Sequence, residues 1–292
     1  MEQRKPGLRR VIGIFDSGHG GLTVMRALVE RLPRQGFIYL GDHADAPYGG
    51  RPPAEILDLT RAGVETLFGL GCRLVILACN TAAAVALRPL QQQWLPVRHP
   101  DQRVLGVLVP MVEAIARTPW HADSRLADPT RMPETVGIFA TPATVASGAY
   151  VREVAKRAPA VRVVQRACPE LAGLIERGAP DTVIGSAVAT HVAALLEQLG
   201  HEQLDSVVLG CTHYPLIEPA FRAALPPQAV IMSQPDRVAA SLTAYLWRHP
   251  EYRDFGLLPA PLRFLTTGDP TLVSGLASRF FGATETFAPV RG

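Results

Sequence analysis

Leu74-Val75-Ile76-Leu77 is a run of four apolar residues, closed by Ala78-Cys79-Asn80-Thr81. A short apolar run bounded by small and polar residues reads as a buried strand, and the residues over 81–92 that follow read as a helix. The same order returns at Val207-Val208-Leu209, closed by Gly210-Cys211-Thr212-His213. The repeated order of strand, small residue, cysteine and polar residue points to two similar halves. Each half would offer one cysteine to a shared cleft.

Outward from these two segments, further strands are expected over 11–15, 37–40, 104–107, 136–139, 161–164, 229–232 and 262–265. Helices are expected over 22–32, 54–70, 143–156, 181–199 and 238–248. Strand and helix in alternation predict an α/β fold with mostly parallel sheets. In such sheets ligands bind at the carboxyl ends of the strands. Those ends carry small polar clusters: Asp16-Ser17-Gly18, then Gly41-Asp42 followed by Pro47-Tyr48-Gly49, and Ala140-Thr141 followed by Thr144. Linkers are expected around 96–102 and over 118–134, where Pro119, Pro129 and Pro133 interrupt any periodicity.

A free cysteine is usually a small core hydrophobe, and Cys72 and Cys168 suit that role. Cys79 and Cys211 differ, because each closes a strand and opens what reads as a helix. The partial positive charge of a helix N-terminus is expected to lower a thiol's pKa. Asp16 and His213 are candidates to pair with one thiol each, since a base beside a thiol is the usual activating arrangement. Asp16-Ser17-Gly18-His19-Gly20-Gly21 fails the dinucleotide fingerprint because Thr23 stands at the third glycine position. Its glycines are read as backbone room for a small anionic ligand. Asn80, Thr81, Thr141, Thr144 and Thr212 would add neutral donors suited to carboxylates.

The remaining features narrow the class. The chain has 292 residues, 48% hydrophobic and 19% charged, with 29 basic against 26 acidic side chains. That balance is too even to imply nucleic acid or a membrane surface as the main partner. The apolar runs are strand-sized, and residues 1–10 lack the apolar core of a signal peptide, so a cytoplasmic protein is expected. The four cysteines form no CxxC pair and no histidine stands at finger spacing, so no metal site is expected.

At these residues the chain resembles the glutamate racemase family, within the broader aspartate/glutamate racemases. The resemblance rests on Phe15-Asp16-Ser17-Gly18-His19-Gly20-Gly21-Leu22-Thr23-Val24, on Gly41-Asp42 with Pro47-Tyr48-Gly49, and on Ala78-Cys79-Asn80-Thr81-Ala82. It continues through Ala140-Thr141, Ser147-Gly148-Ala149-Tyr150, Ala167-Cys168-Pro169, Glu176, and Leu209-Gly210-Cys211-Thr212-His213-Tyr214-Pro215-Leu216. The segments follow the family order over about residues 11–240.

The resemblance implies two pseudo-symmetric α/β domains with the active site in the cleft between them. The first would comprise residues 1–106 plus 218–292, and the second residues 107–217. It implies a racemase that needs neither cofactor nor metal and supplies D-glutamate for peptidoglycan, commonly as a homodimer. Cys79 and Cys211 match the catalytic cysteines, with Asp16, His213 and Glu176 as auxiliary acids or bases, and Asp42 at a further such position. Asp16-Ser17, Tyr48-Gly49, Asn80-Thr81, Thr144 and Thr212-His213 match substrate-binding positions. By analogy the Cys79 side accepts D-glutamate and the Cys211 side L-glutamate. In that chemistry one thiolate takes the α-proton and the opposed thiol returns another.

This chain departs from the family pattern at Asp45-Ala46, Val109-Pro110, His43 and Met232-Ser233, and in the length of 118–134. The alternatives are an aspartate or other racemase of the same superfamily, or a non-catalytic amino-acid-binding or inhibitor protein.

Overall fold

The computed structural model describes residues 10–121, 132–254 and 260–290. Ten strands are present among the described residues: β1 Val11–Asp16, β2 Gly36–Gly41, β3 Leu74–Leu77, β4 Arg103–Gly106, β5 Glu134–Ala140, β6 Val161–Ala167, β7 Ser206–Gly210, β8 Val230–Met232, β9 Leu262–Thr266 and β10 Phe287–Pro289. They form a six-stranded sheet in the order β10-β9-β2-β1-β3-β4 and a four-stranded sheet in the order β6-β5-β7-β8. Every pairing is parallel.

The order β2-β1-β3-β4 in the first sheet is repeated as β6-β5-β7-β8 in the second. Cys79 follows β3 and Cys211 follows β7, so the two cysteines occupy equivalent places. In each sheet the strand order reverses beside the strand that leads to the cysteine, which is where α/β sheets open a crevice for ligands.

The strands are apolar because both faces are covered. In β5 and β7 the period of two is explicit. Ile138 and Val208 face the core shared with the first sheet, whereas Phe139, Val207 and Leu209 face a second core. The helix Asp181–Leu199 packs on that second core through Ile184, Val188, Val192, Leu195 and Leu199. It is long and apolar enough to cross a membrane by composition alone. Part of its apolar surface is the stripe buried against the second sheet, while Val183 is exposed.

Three expectations need correction. β8 pairs with β7, in the register Ser206↔Val230, so the chain runs with the second sheet to residue 232. The expected first domain, residues 1–106 plus 218–292, takes in this strand, which instead lies in the second sheet. The helix expected over 143–156 is two helices, Pro142–Ser147 and Ala149–Arg157. Between them Gly148 adopts φ +62°, a left-handed conformation that glycine takes without steric cost. The linker expected around 96–102 is partly helical, with Leu95–Arg98 forming one turn. Most of the 118–134 stretch lies outside the described residues.

Candidate active site

Cys79 leaves β3 in an extended conformation and caps the helix Asn80–Pro89, its sulfur accepting the Ala82 N–H at 3.5 Å. Ser17 Oγ lies 3.3 Å from the same sulfur. The expected lowering of this thiol's pKa does not occur. Burial pushes it up to about 12, the nearby Asp16 charge adds to the rise, and the Ser17 and Ala82 hydrogen bonds offset only part of it. In a site this dry, removing the thiolate from water outweighs the helix end.

Asp16 closes β1 and is itself buried. Its Oδ2 accepts the Gly18 N–H at 3.0 Å, and its Oδ1 is buried without a hydrogen-bond partner. Burial raises this carboxyl to about 6 against the opposing charge of His213.

Cys211 has a different setting. No α-helix starts there: the chain turns through residues 211–213 into a 3₁₀ turn, Tyr214–Ile217, and the next helix begins at Glu218. The expected helix dipole is therefore absent, and a histidine stands in its place. His213 Nδ1 lies 3.7 Å from Cys211 Sγ. Burial works to lower the His213 pKa, but Cys211 and Glu176 overcome it and raise it to about 10. The imidazole is therefore protonated at neutral pH.

Glu176 stands between two histidines. Its Oε1 is 2.7 Å from His19 Nδ1 and its Oε2 is 3.6 Å from His213 Nε2. Burial would raise the carboxyl, but the two histidines hold it well below the usual carboxylate range.

Both cysteines line one cavity of about 280 Å³ between the two sheets. Ser17, Tyr48, Gly49, Asn80 and Thr81 line it with Cys79, and Glu176, Thr212 and His213 line it with Cys211. Three sequence candidates stand behind the wall. Asp16 is one. Thr144 is another: its hydroxyl lies 2.9 Å from Thr141 and 3.3 Å from Thr81, so it braces two hydroxyls that do line the cavity. Asp42 also acts from behind, accepting hydrogen bonds from Tyr48 and, at 2.7 Å, from Thr267.

Sequence reasoning missed three features. Cys168 lines the cavity, although burial pushes its thiol up to about 12. His19 is bonded to Glu176, a partner 157 positions away that no local pattern could signal. Gln234 and Asn80 exchange two amide hydrogen bonds, at 2.7 and 2.8 Å, and Tyr150 joins them from the second half. The glycines near residue 20 also have another purpose than anion binding. A Cβ on Gly20 would stand 2.3 Å from Thr212 Oγ1 and 2.6 Å from His213 Nδ1. Gly20 therefore gives room to the Cys211 loop.

A family model described as Asp/Glu/Hydantoin racemase matches residues 12–240. The glutamate racemase of Phenylobacterium zucineum (strain HLK1) is 48% identical over 283 residues, covering 95% of this chain and 99% of the relative. Among solved structures, a glutamate racemase isoform from Bacillus anthracis superposes with a TM-score of 0.82 at 30% identity, covering 96% of this chain and 97% of that one. The glutamate racemase from Francisella tularensis, solved in complex with D-glutamate, gives 0.81 at 25% identity, covering 97% and 98%. With the family model matched over most of its length and a near-full-length relative at this identity, the chain belongs to the Asp/Glu/hydantoin racemase family.

Proposed function

We propose that this protein interconverts L- and D-glutamate by carrying the α-proton between Cys79 and Cys211, without a cofactor, and so supplies D-glutamate for the cell wall. The observation that carries the proposal is the pair of equivalent strand-end cysteines on one cavity. An α-proton removed on one face must be returned on the other, and two thiols in one cleft provide a base and an acid for that exchange. The cavity of about 280 Å³ suits a small amino acid, since drug-sized ligands occupy roughly 300–1,000 Å³. The hydroxyls of Ser17, Thr81 and Thr212 and the amide of Asn80 are neutral donors for its carboxylates.

The resting site is unequal in a way that suits this chemistry. The Cys79 thiol, pushed up to about 12, holds its proton at neutral pH and serves as the acid. Cys211 has the His213 ring beside its sulfur, with Nδ1 at 3.7 Å. With Cys79 as the acid, Cys211 takes the α-proton on its own face, which by analogy is presented by L-glutamate. Turnover leaves the protonation pattern reversed, ready for the D-enantiomer. Asp16, raised to about 6, titrates in the range where a general base is effective, and it lies behind the thiol that has no histidine.

The test is loss of the α-proton signal of L- and D-glutamate in heavy water, with gel-filtered protein and nothing added. Both enantiomers should exchange and invert. Aspartate, one methylene shorter, should react about 10- to 200-fold more slowly. Absence of exchange with folded protein would overturn the catalytic reading, and faster turnover of aspartate would move the assignment to another substrate of the family.

A further inference from the structure

We infer that His19 is a positioning residue for the Cys211 face: supplied by the first half of the molecule, it fixes Glu176 so that the carboxylate holds His213 against the thiol. This rests on the two-thiol reading above.

The geometry leaves His19 little freedom. It is buried in the loop between β1 and the helix Leu22–Arg31. Nδ1 lies 2.7 Å from Glu176 Oε1, and Nε2 lies 3.0 Å from the Val273 carbonyl oxygen. A backbone carbonyl can only accept, so Nε2 carries a hydrogen. An ionised carboxylate can only accept as well, so Nδ1 carries one too. His19 is then a buried cation, and the row His19, Glu176, His213 alternates in charge and ends at Cys211.

The ring plane is also fixed. Phe280 stacks on it at 5.5 Å and 23°, and the same phenyl meets the His213 ring edge-on at 5.4 Å. His43 meets the His19 ring at 4.3 Å and 67°. Burial and the neighbouring His19 lower the His43 pKa to about 4, so this contact adds no second charge at neutral pH. The groups facing the row are therefore Cys211 and Asp16 at the His213 end and a neutral His43 at the other.

The loop that carries His19 grips the Cys211 loop directly. Thr23 Oγ1 donates to the Thr212 carbonyl at 3.0 Å, and Gly20 admits Thr212 and His213 by having no Cβ. Glu176 and His213 belong to the second sheet's half, whereas His19 and Val273 belong to the first. One half thus completes the acid–base equipment of the other, and no counterpart of this row touches Cys79 among the described residues.

Overall racemisation rates cannot test this. The two enantiomers have equal free energy, so kcat/KM falls equally in both directions whichever face is damaged. One-sided exchange can test it. His19→Gln and His19→Leu should be made in Cys79→Ser and in Cys211→Ser protein, with α-proton exchange in heavy water measured per folded molecule. In the Cys79→Ser background, where Cys211 works alone, exchange should fall about 10- to 100-fold, part of the roughly 10²- to 10⁴-fold that acid–base catalysis supplies. Leucine, which has no donor, should lose more than glutamine. In the Cys211→Ser background exchange should change little. An equal fall in both backgrounds would overturn the inference and leave His19 a structural staple.

A second measurement uses the unaltered protein and does not depend on how the variants fold. Nitrogen-15 NMR of the histidine rings should show His19 with both nitrogens protonated at neutral pH, and a neutral ring would overturn the inference. If Cys79→Ser protein with His19 intact exchanges neither enantiomer, the two-thiol reading fails on its own, while the ring measurement still decides the state of His19.

Discussion

The first sheet and the second are built to one plan, yet their cysteines are managed by opposite means. In the order β2-β1-β3-β4 the cysteine after β3 caps a true α-helix, touches a serine hydroxyl, and holds its proton because it is buried beside a carboxyl. In the order β6-β5-β7-β8 the cysteine after β7 has no helix behind it and instead touches a histidine whose Nε2 lies 3.6 Å from Glu176. Topology sets where the two sulfurs stand. The charge around each sulfur comes from loop residues that the repeat does not share.

The largest effect that could break this comparison comes from removing each thiol in turn. Cys79→Ser and Cys211→Ser should each lower inversion by about 10³-fold or more, since both directions need one base and one acid. The surviving thiol should still exchange the α-proton of the enantiomer it faces, so the two variants should act on mirror-image substrates. NMR exchange measured for each enantiomer, normalised to folded protein, decides this. Equal residual exchange of both enantiomers in either variant would show that one cysteine per face is wrong.

The legible part of the molecule was the part set by local pattern. Nine strands could be placed from short apolar runs, because a strand covered on both faces needs apolar residues without interruption. β10, Phe287–Pro289, is only three residues long and carries no such run. The helix Leu108–Ala116 hides behind Pro110, which is tolerated in a first turn where its missing N–H has no partner to lose. At the site, Cys79, Cys211 and the hydroxyl donors were readable because strand ends carry ligands. The thiol chemistry was not readable. Helix capping argued for an acidic Cys79, and only the buried surroundings reverse that sign. The row from His19 to His213 joins residues 19, 176 and 213, and that proximity exists only after folding.

A smaller effect sharpens the electrostatic side of the comparison. Asp16 binds its proton more tightly in the folded protein, at about 6, than at its ordinary 3.8. The stability contributed by this group is therefore full below about pH 4 and is lost as pH rises through about 6. The difference of about two pH units corresponds to ~3 kcal/mol at neutral pH. Asp16→Asn keeps an oxygen for the Gly18 N–H but cannot ionise. Its stability relative to wild type should therefore rise by up to ~3 kcal/mol between pH 4 and pH 7 in denaturant titrations. Parallel curves across that window would mean that burial does not hold the proton on Asp16. The Cys211 side should show no such gain on losing Glu176, whose charge is matched by two histidines.

The smallest effect concerns what holds Asn80, the residue after Cys79, in place. Its amide is locked to Gln234, which opens the helix Gln234–Arg248 of the first half, and to Tyr150 of the second half. All three side chains are buried and none carries a charge, so this brace is the neutral counterpart of the charged row behind Cys211. Tyr150→Phe removes the hydroxyl that donates to Asn80 Oδ1 at 3.1 Å and accepts from Gln234 Nε2 at 3.2 Å. The Asn80–Gln234 pair retains its own two bonds, so no polar group is left wholly unpaired. The cost should be about 1 kcal/mol, the ordinary worth of a buried neutral hydrogen bond. A neutral brace has no titrating member in the working range, so the loss should be the same at pH 6 and pH 8. Denaturant unfolding of Tyr150→Phe at both pH values is the measurement. A cost that changes by more than half between them would show that the Cys79 side is also held by charge, and the contrast between the two halves would fail.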